Sequence, residues 1–99
     1  MTTRLLLLAD THVPQRARDL PAAVWAEVDR ADVVVHAGDW LEPALLDALL
    51  ARLSRAERES SGRLIGVHGN NDGTELRRRL PEVARDDVEG LALAVVHET

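Results

Sequence analysis

The chain has no cysteine, no lysine, no phenylalanine and no tyrosine. Without cysteine there is no disulfide framework, no thiolate metal cage and no sulfur nucleophile. Trp25 and Trp40 are the only large rings, so the core has to be aliphatic and a base-stacking platform is disfavoured. All 12 basic side chains are arginine against 17 acidic ones, a net charge of -5. That balance argues against general nucleic-acid binding. It still admits a phosphorylated substrate, because bound divalent cations invert the local field. No apolar run approaches the length of a bilayer span, so no membrane partner is expected. The Met-Thr-Thr-Arg start lacks the apolar stretch and cleavage site of a signal peptide, which makes the cytoplasm the expected compartment.

What is present suits one small globular domain over residues 1–99, with 45% apolar and 29% charged residues. Short apolar runs alternate with polar turns and helix-compatible stretches. Arg4–Ala9 reads as a strand buried on both faces that ends at Asp10. Leucine is a modest strand former, so a helix is the competing local reading, which the abrupt Asp10-Thr11-His12 disfavours. Pro21 suits a first helical position, with a helix to about Asp29 burying Val24, Trp25 and Val28. Val33–Ala37 is a strand with a β-branched run closed by Gly38-Asp39. Pro43 begins a helix with Leu45, Leu46, Leu49, Leu50 and Leu53 at amphipathic spacing, fading through the charged stretch 55–59. Leu64–His68 is a third strand, followed by the turn signal Gly69-Asn70-Asn71-Asp72-Gly73. Thr74 is placed to cap a short helix through Arg79, which Pro81 stops. Val83–Val88 and Leu91–His97 flank Glu89-Gly90 and predict an antiparallel hairpin. The expected fold class is α/β: a layered sheet of mainly parallel strands, flanking helices and a C-terminal antiparallel hairpin.

Four of the apolar runs end in residues able to bind metal: Asp10-x-His12, Gly38-Asp39, Gly69-Asn70 and His97. In an open parallel α/β sheet the carboxyl ends of the strands share one edge, so these residues are expected to converge there. Asp10 and His12, two apart on an extended backbone, would point the same way. Carboxylate, imidazole and amide oxygen suit Mn²⁺, Fe²⁺, Zn²⁺ or Ni²⁺ better than a thiophilic ion. Asp39, central in the order, has two oxygens with which to bridge two ions. Such a pair, some ~3.5–4 Å apart, would hold a shared hydroxide and clamp phosphoryl oxygens. Each segment alone is common in ordinary loops and turns; their combination at strand ends carries the reading.

Asp10-Thr11-His12, Val35-His36-Ala37-Gly38-Asp39-Trp40, Gly69-Asn70-Asn71-Asp72 and Val95-Val96-His97 together resemble the successive blocks of the calcineurin-like metallophosphoesterase superfamily. The nearest likeness is to its branch of small microbial phosphodiesterases, which also includes the metallophosphoesterase-like subunit of the retromer coat. The resemblance runs from Leu5 to His97. It implies the N-terminal portion of a metallophosphoesterase α/β sandwich and two divalent ions, with Mn²⁺ favoured. Asp10 and His12 would hold one ion, Asp39 both, and Asn70 and His97 the other. The implied reaction is hydrolysis of a small phosphate ester, a diester first among them, by a metal-bridging hydroxide.

Two departures from the family pattern matter. Many members carry His where this chain has Asn71, which would occupy that catalytic position, donating a hydrogen bond without supplying a proton. The family also continues into a Gly-His-x-His motif that does not occur here, so the chain is expected to be incomplete at its C-terminal end and weak in catalysis. Uncovered sheet surface would then favour a homo-oligomer. The alternative is a non-catalytic interaction scaffold on the same fold. A receiver-like signalling domain ranks last, because it needs a lysine.

Other residues are ambiguous. His36 is expected to be packed against backbone or to orient a ligand, and His68 lies beside the site without a ligand role. Asp72 is expected to fix the turn around Asn70. Arg16 and Arg18 read as an exposed loop, with a substrate phosphate as the alternative. Arg77-Arg78-Arg79 reads as a solvated helix face or an anion patch, and Trp40 as packing or a wall of the site.

Overall fold

The computed structural model describes residues 3–12, 19–55 and 62–97. The elements in chain order are β1 (Leu5–Leu8), α1 (Ala22–Arg30), β2 (Val33–His36), α2 (Pro43–Leu53), β3 (Arg63–Gly66), α3 (Thr74–Arg79), β4 (Val83–Val88) and β5 (Leu91–Val96). The first three strands form a parallel sheet in the order β1-β2-β3, while β4 and β5 pair antiparallel as a separate hairpin. This is the expected α/β class, with the hairpin standing as its own layer.

The central strand β2 explains the layering. Its four residues are all buried, and alternation along a strand sends neighbours to opposite faces. Val34 joins Val28, Leu45, Leu46, Leu49, Leu53 and Leu76 from the three helices. Val33 and Val35 join Ile65, Val67, Val88 and Val95 on the hairpin side. Three β-branched residues in a row therefore serve two cores at once.

The first strand corrects an expectation. Leu6 and Leu8 pack on the helix-side core, but Leu5 is 42% and Leu7 71% exposed. The reason is position: β1 is an edge strand, and the hairpin-side cluster contains no residue of it. The leucine stripe of α2 is core as expected, except that Leu50 faces outward.

Helix boundaries follow local chemistry. Pro43 occupies the first turn of α2, where its missing N–H costs nothing. Pro21, expected inside α1, sits instead at its N-cap in an extended conformation. Gly73 rather than Thr74 is the N-cap of α3, so the expected threonine cap does not form. Arg52 grips Asp29 with two hydrogen bonds of 2.7 and 2.8 Å and lies 5.1 Å above the Trp25 ring, tying α2 to α1.

The hairpin turns through Glu89 and Gly90, both at positive φ (52° and 81°), which matches the twist of a two-residue primed turn. Arg63 at the start of β3 reaches Asp86 at 2.8 Å and the Asp87 carbonyl at 3.1 Å, which fixes the hairpin over the sheet. Among the described residues no helix is long and apolar enough to cross a membrane.

The two-sided burial makes a simple prediction for chemical denaturation. Leu49, fully buried in α2, should lose about 2–5 kcal/mol on truncation to alanine. Leu7→Ala, at the exposed edge, should change stability by no more than ~0.5 kcal/mol. Comparable losses at both positions would contradict this layering.

Candidate metal centre

The site is built at the carboxyl end of the parallel sheet. After β1 the chain does not stay extended, as the sequence suggested, because Asp10 and His12 adopt φ of 53° and 49°. The turn is held by backbone bonds from the Asp10 amide to the Gly38 carbonyl (3.0 Å) and from the His12 amide to the Asp39 carbonyl (3.1 Å). After β2, Gly38 (φ 112°), Asp39 (φ 61°) and Leu41 (φ 79°) continue the left-handed pattern. Non-glycine residues in this region cost roughly 1–3 kcal/mol each and cluster at functional sites.

These turns bring together residues far apart in sequence. One ligand atom from each of Asp10, His12 and Asp39 lies within 4.8 Å of the other two. Asp39 Oδ2 is 3.5 Å from His12 Nε2 and 3.5 Å from His97 Nε2. His97 Nε2 is 3.0 Å from Asn70 Oδ1. Asp10, His12 and His97 of the expected donor set therefore approach Asp39, and Asn70 joins the cluster through His97. Asp39 and His12 are buried, whereas Asp10 and Asn70 face solvent.

The donor chemistry fits cations. His97 Nδ1 lies 2.9 Å from the Ala37 carbonyl, which can only accept, so Nδ1 carries the proton. In a neutral imidazole Nε2 is then a lone pair. Nε2 faces the Asn70 amide oxygen at 3.0 Å and Asp39 Oδ2 at 3.5 Å, a set of nitrogen and oxygen ligand atoms that a positive ion would satisfy once Nε2 is free of a proton. A histidine whose other nitrogen donates to a backbone carbonyl is also the usual orientation of a metal ligand.

The electrostatics of Asp39 agree. Burial pushes its carboxyl pKa up. The Asn71 backbone and side-chain N–H groups, both bonding at 2.9 Å, outweigh that with help from His97 and His12, leaving it below the usual value. Asn71, at the position where many members of the resembled family carry histidine, thus turns its amide onto the bridging candidate.

The supporting residues have clear partners. His36 is fully buried, stacked at 3.7 Å on Trp40, and its Nδ1 accepts from the Gly38 amide at 3.1 Å. The proton of a neutral His36 is therefore on Nε2 and donates to Thr11 Oγ1 at 3.0 Å. This one ring ties the loop after β1 to the loop after β2. Trp40 is buried in the helix-side core and donates to the Val67 carbonyl at 2.9 Å, which is packing rather than a wall of the site. Arg77 donates to the carbonyls of Asp72 and Asn70, and Arg79 pairs with Asp47 at 2.7 Å, so neither forms an open anion patch. His68 borders a small cleft with Asn70, Arg77, Glu82 and His97, and its buried Nδ1 has no hydrogen-bond partner among the described residues. Arg16 and Arg18 lie outside the described residues.

Gly69, part of the Gly69-Asn70 pair that follows the third strand, has a packing role that its turn position alone does not announce. A Cβ there would fall 2.5 Å from the Asp39 amide nitrogen and against its carboxylate. Its place directly before Asn70 was the available signal.

With this geometry in view, the comparisons are specific. Residues 3–99 match the calcineurin-like phosphoesterase superfamily domain, and the chain belongs to that family. It is 29% identical over 91 residues to a probable metallophosphoesterase of Methanocaldococcus jannaschii, covering 92% of this chain and 41% of that protein. The solution structure of a Thermotoga maritima protein superposes with a TM-score of 0.76 at 28% identity, covering 99% of this chain and 57% of that one. Chaetomium thermophilum Vps29 shares the fold, with a TM-score of 0.72 at 20% identity over 94% of this chain and 44% of its own. The chain thus spans about two fifths of the length of the curated relative that it matches along most of its length.

Two outcomes follow. Gly69→Ala should destabilise the protein by roughly 1–3 kcal/mol, because a methyl group has no room beside Asp39; denaturant midpoints check it, and an unchanged midpoint would contradict the close approach. Burial holds the His36 pKa down from 6.5 to about 3, against an upward pull from Asp39 and with a further downward push from His97. The unfolded chain then binds a proton that the fold excludes. The stability present above pH 6.5 is accordingly lost as pH falls toward 3, by about 2 kcal/mol at pH 5 from this residue. His36 should show no imidazole titration by NMR between pH 8 and pH 5; a midpoint near 6.5 would contradict it.

Proposed function

We propose that the chain carries the metal-binding half-sites of a phosphoesterase that hydrolyses phosphodiester or phosphomonoester bonds with two divalent ions, Mn²⁺ favoured. The observation that carries this reading is the approach of His12 and His97 to the Asp39 carboxylate, with Asn70 joining the cluster through His97, three side chains from three separate segments. Asp10, His12 and Asp39 would hold one ion, and Asp39, Asn70 and His97 the other. Bound there, a pair of such ions supplies a nucleophile from water at neutral pH and offsets negative charge on phosphoryl oxygens.

The chain's own residues supply the frame. Asp39, held in its charged form by two N–H donors from Asn71, presents a carboxylate to both sides. His97 is fixed in one tautomer by the Ala37 carbonyl. Asn71 orients Asp39 and has no dissociable proton for a departing alkoxide, which predicts slow turnover on substrates with poor leaving groups.

A second reading, an interaction scaffold on the same fold, is supported by the exposed apolar residues Leu5, Leu7, Leu91 and Val96. Exposed apolar side chains of this kind favour partner binding or self-association into a homo-oligomer. Metal binding combined with turnover separates the two readings.

The test pairs Mn²⁺ calorimetry with hydrolysis of a bis-nitrophenyl phosphate. The expected result is slow hydrolysis that disappears with a chelator, and at least about a hundredfold loss of rate in Asp39→Asn, in line with the loss of several kcal/mol of metal-derived charge stabilisation. Metal binding without hydrolysis would favour the scaffold. A chain that binds no metal would overturn the proposed site.

A further inference from the structure

Asp72 lies between the two metal-bearing loops, is 4% exposed, and has no part in the donor set. Its Oδ2 accepts from the Asp39 amide at 3.0 Å and from the Gly69 amide at 2.8 Å. Its Oδ1 accepts from the Leu41 amide at 2.7 Å. Two of these donors, Asp39 and Leu41, are the left-handed residues that turn the chain after β2; the third, Gly69, adjoins Asn70 on the loop after β3. One side chain therefore takes three backbone N–H groups from two loops joined to different strands. From outside, Arg77 donates to the Asp72 carbonyl at 2.9 Å and to the Asn70 carbonyl at 3.2 Å, which keeps the turn closed from the helix side.

We propose that Asp72 is a positioning residue that sets the spacing between the shared ligand Asp39 and the second-ion ligand Asn70, so that binding of the two ions is coupled through it. This rests on the metal-dependent reading above. Both oxygens accept backbone N–H groups, and Asp72 is not among the residues whose ligand atoms cluster with Asp39. An asparagine of the same shape keeps one oxygen and turns an N–H₂ group toward at least one backbone N–H. The local strain at Asp39 and Leu41 then loses its restraint without loss of a metal ligand.

The experiment measures Mn²⁺ affinity and stoichiometry by calorimetry in wild type and in Asp72→Asn, with circular dichroism to confirm the fold. The expected result is a roughly 10- to 100-fold weaker affinity for the second ion, the usual range for residues that orient metal ligands, and loss of cooperativity between the ions. A folded Asp72→Asn with wild-type affinity and cooperativity overturns the proposal. Amide hydrogen exchange of the metal-free wild type provides a readout that needs neither a variant nor an ion. The Asp39, Leu41 and Gly69 amides should exchange slowly as a group, and loop-like exchange at all three overturns the proposal even if Asp72→Asn fails to fold. A wild type that binds no Mn²⁺ removes the metal reading itself, while slow exchange of those amides would still stand as support for the clamp.

Discussion

The arrangement depends on how closely the loop after β2 approaches the loop after β3. Gly69 lies against Asp39 with no space for a side chain, and Asn71 closes on the same carboxylate with two hydrogen bonds of 2.9 Å. That contact places the Asp39 carboxylate between His12 of one segment and Asn71 and His97 of two others. Everything else at the carboxyl edge serves to hold it there. His36 fastens the first loop to the second, Trp40 supports His36 from the core, and the hairpin delivers His97 from the opposite layer.

The layering is what makes this possible. A three-residue β-branched run in β2 is buried on both sides, so helices and hairpin are stacked on one rigid strand. Donors placed at the end of that strand inherit its rigidity, and sites set on regular elements are more precise than sites on free loops. The site's strain is local. Asp10, His12 and Asp39 all adopt positive φ, a conformation that Asp and His tolerate better than most residues but that still needs support. The surrounding hydrogen bonds supply that support, so the fold itself fixes the arrangement of these side chains.

Much of this was legible in the sequence, and the reasons are specific. Val33-Val34-Val35 and the α2 leucines announced their elements through β-branching and period. The Glu89-Gly90 pair announced the hairpin turn. The strand-end positions of Asp10, His12, Asp39, Asn70 and His97 announced a shared edge. What remained hidden depended on layers that meet only in three dimensions. Four leucines in a row do not reveal which of them face outward, and Leu5 and Leu7 do so because β1 is an edge. The left-handed turns at Asp10 and His12 are fixed by carbonyls of the neighbouring loop, and the tolerance of Asp and His for that conformation does not by itself announce them. Asn71 stands where many members of the family carry histidine, and the sequence does not show that its amide is directed at Asp39. Arg77 read as part of a charged surface, whereas it holds backbone carbonyls.

The central claim is that acceptors from separate segments converge on Asp39 to cradle two cations. Anomalous diffraction from crystals grown with Mn²⁺ tests it most directly. The account predicts two peaks roughly 3.5–4 Å apart, both touching Asp39, one also touching His12 and the other His97. A single peak away from Asp39, or none at saturating Mn²⁺, would contradict it.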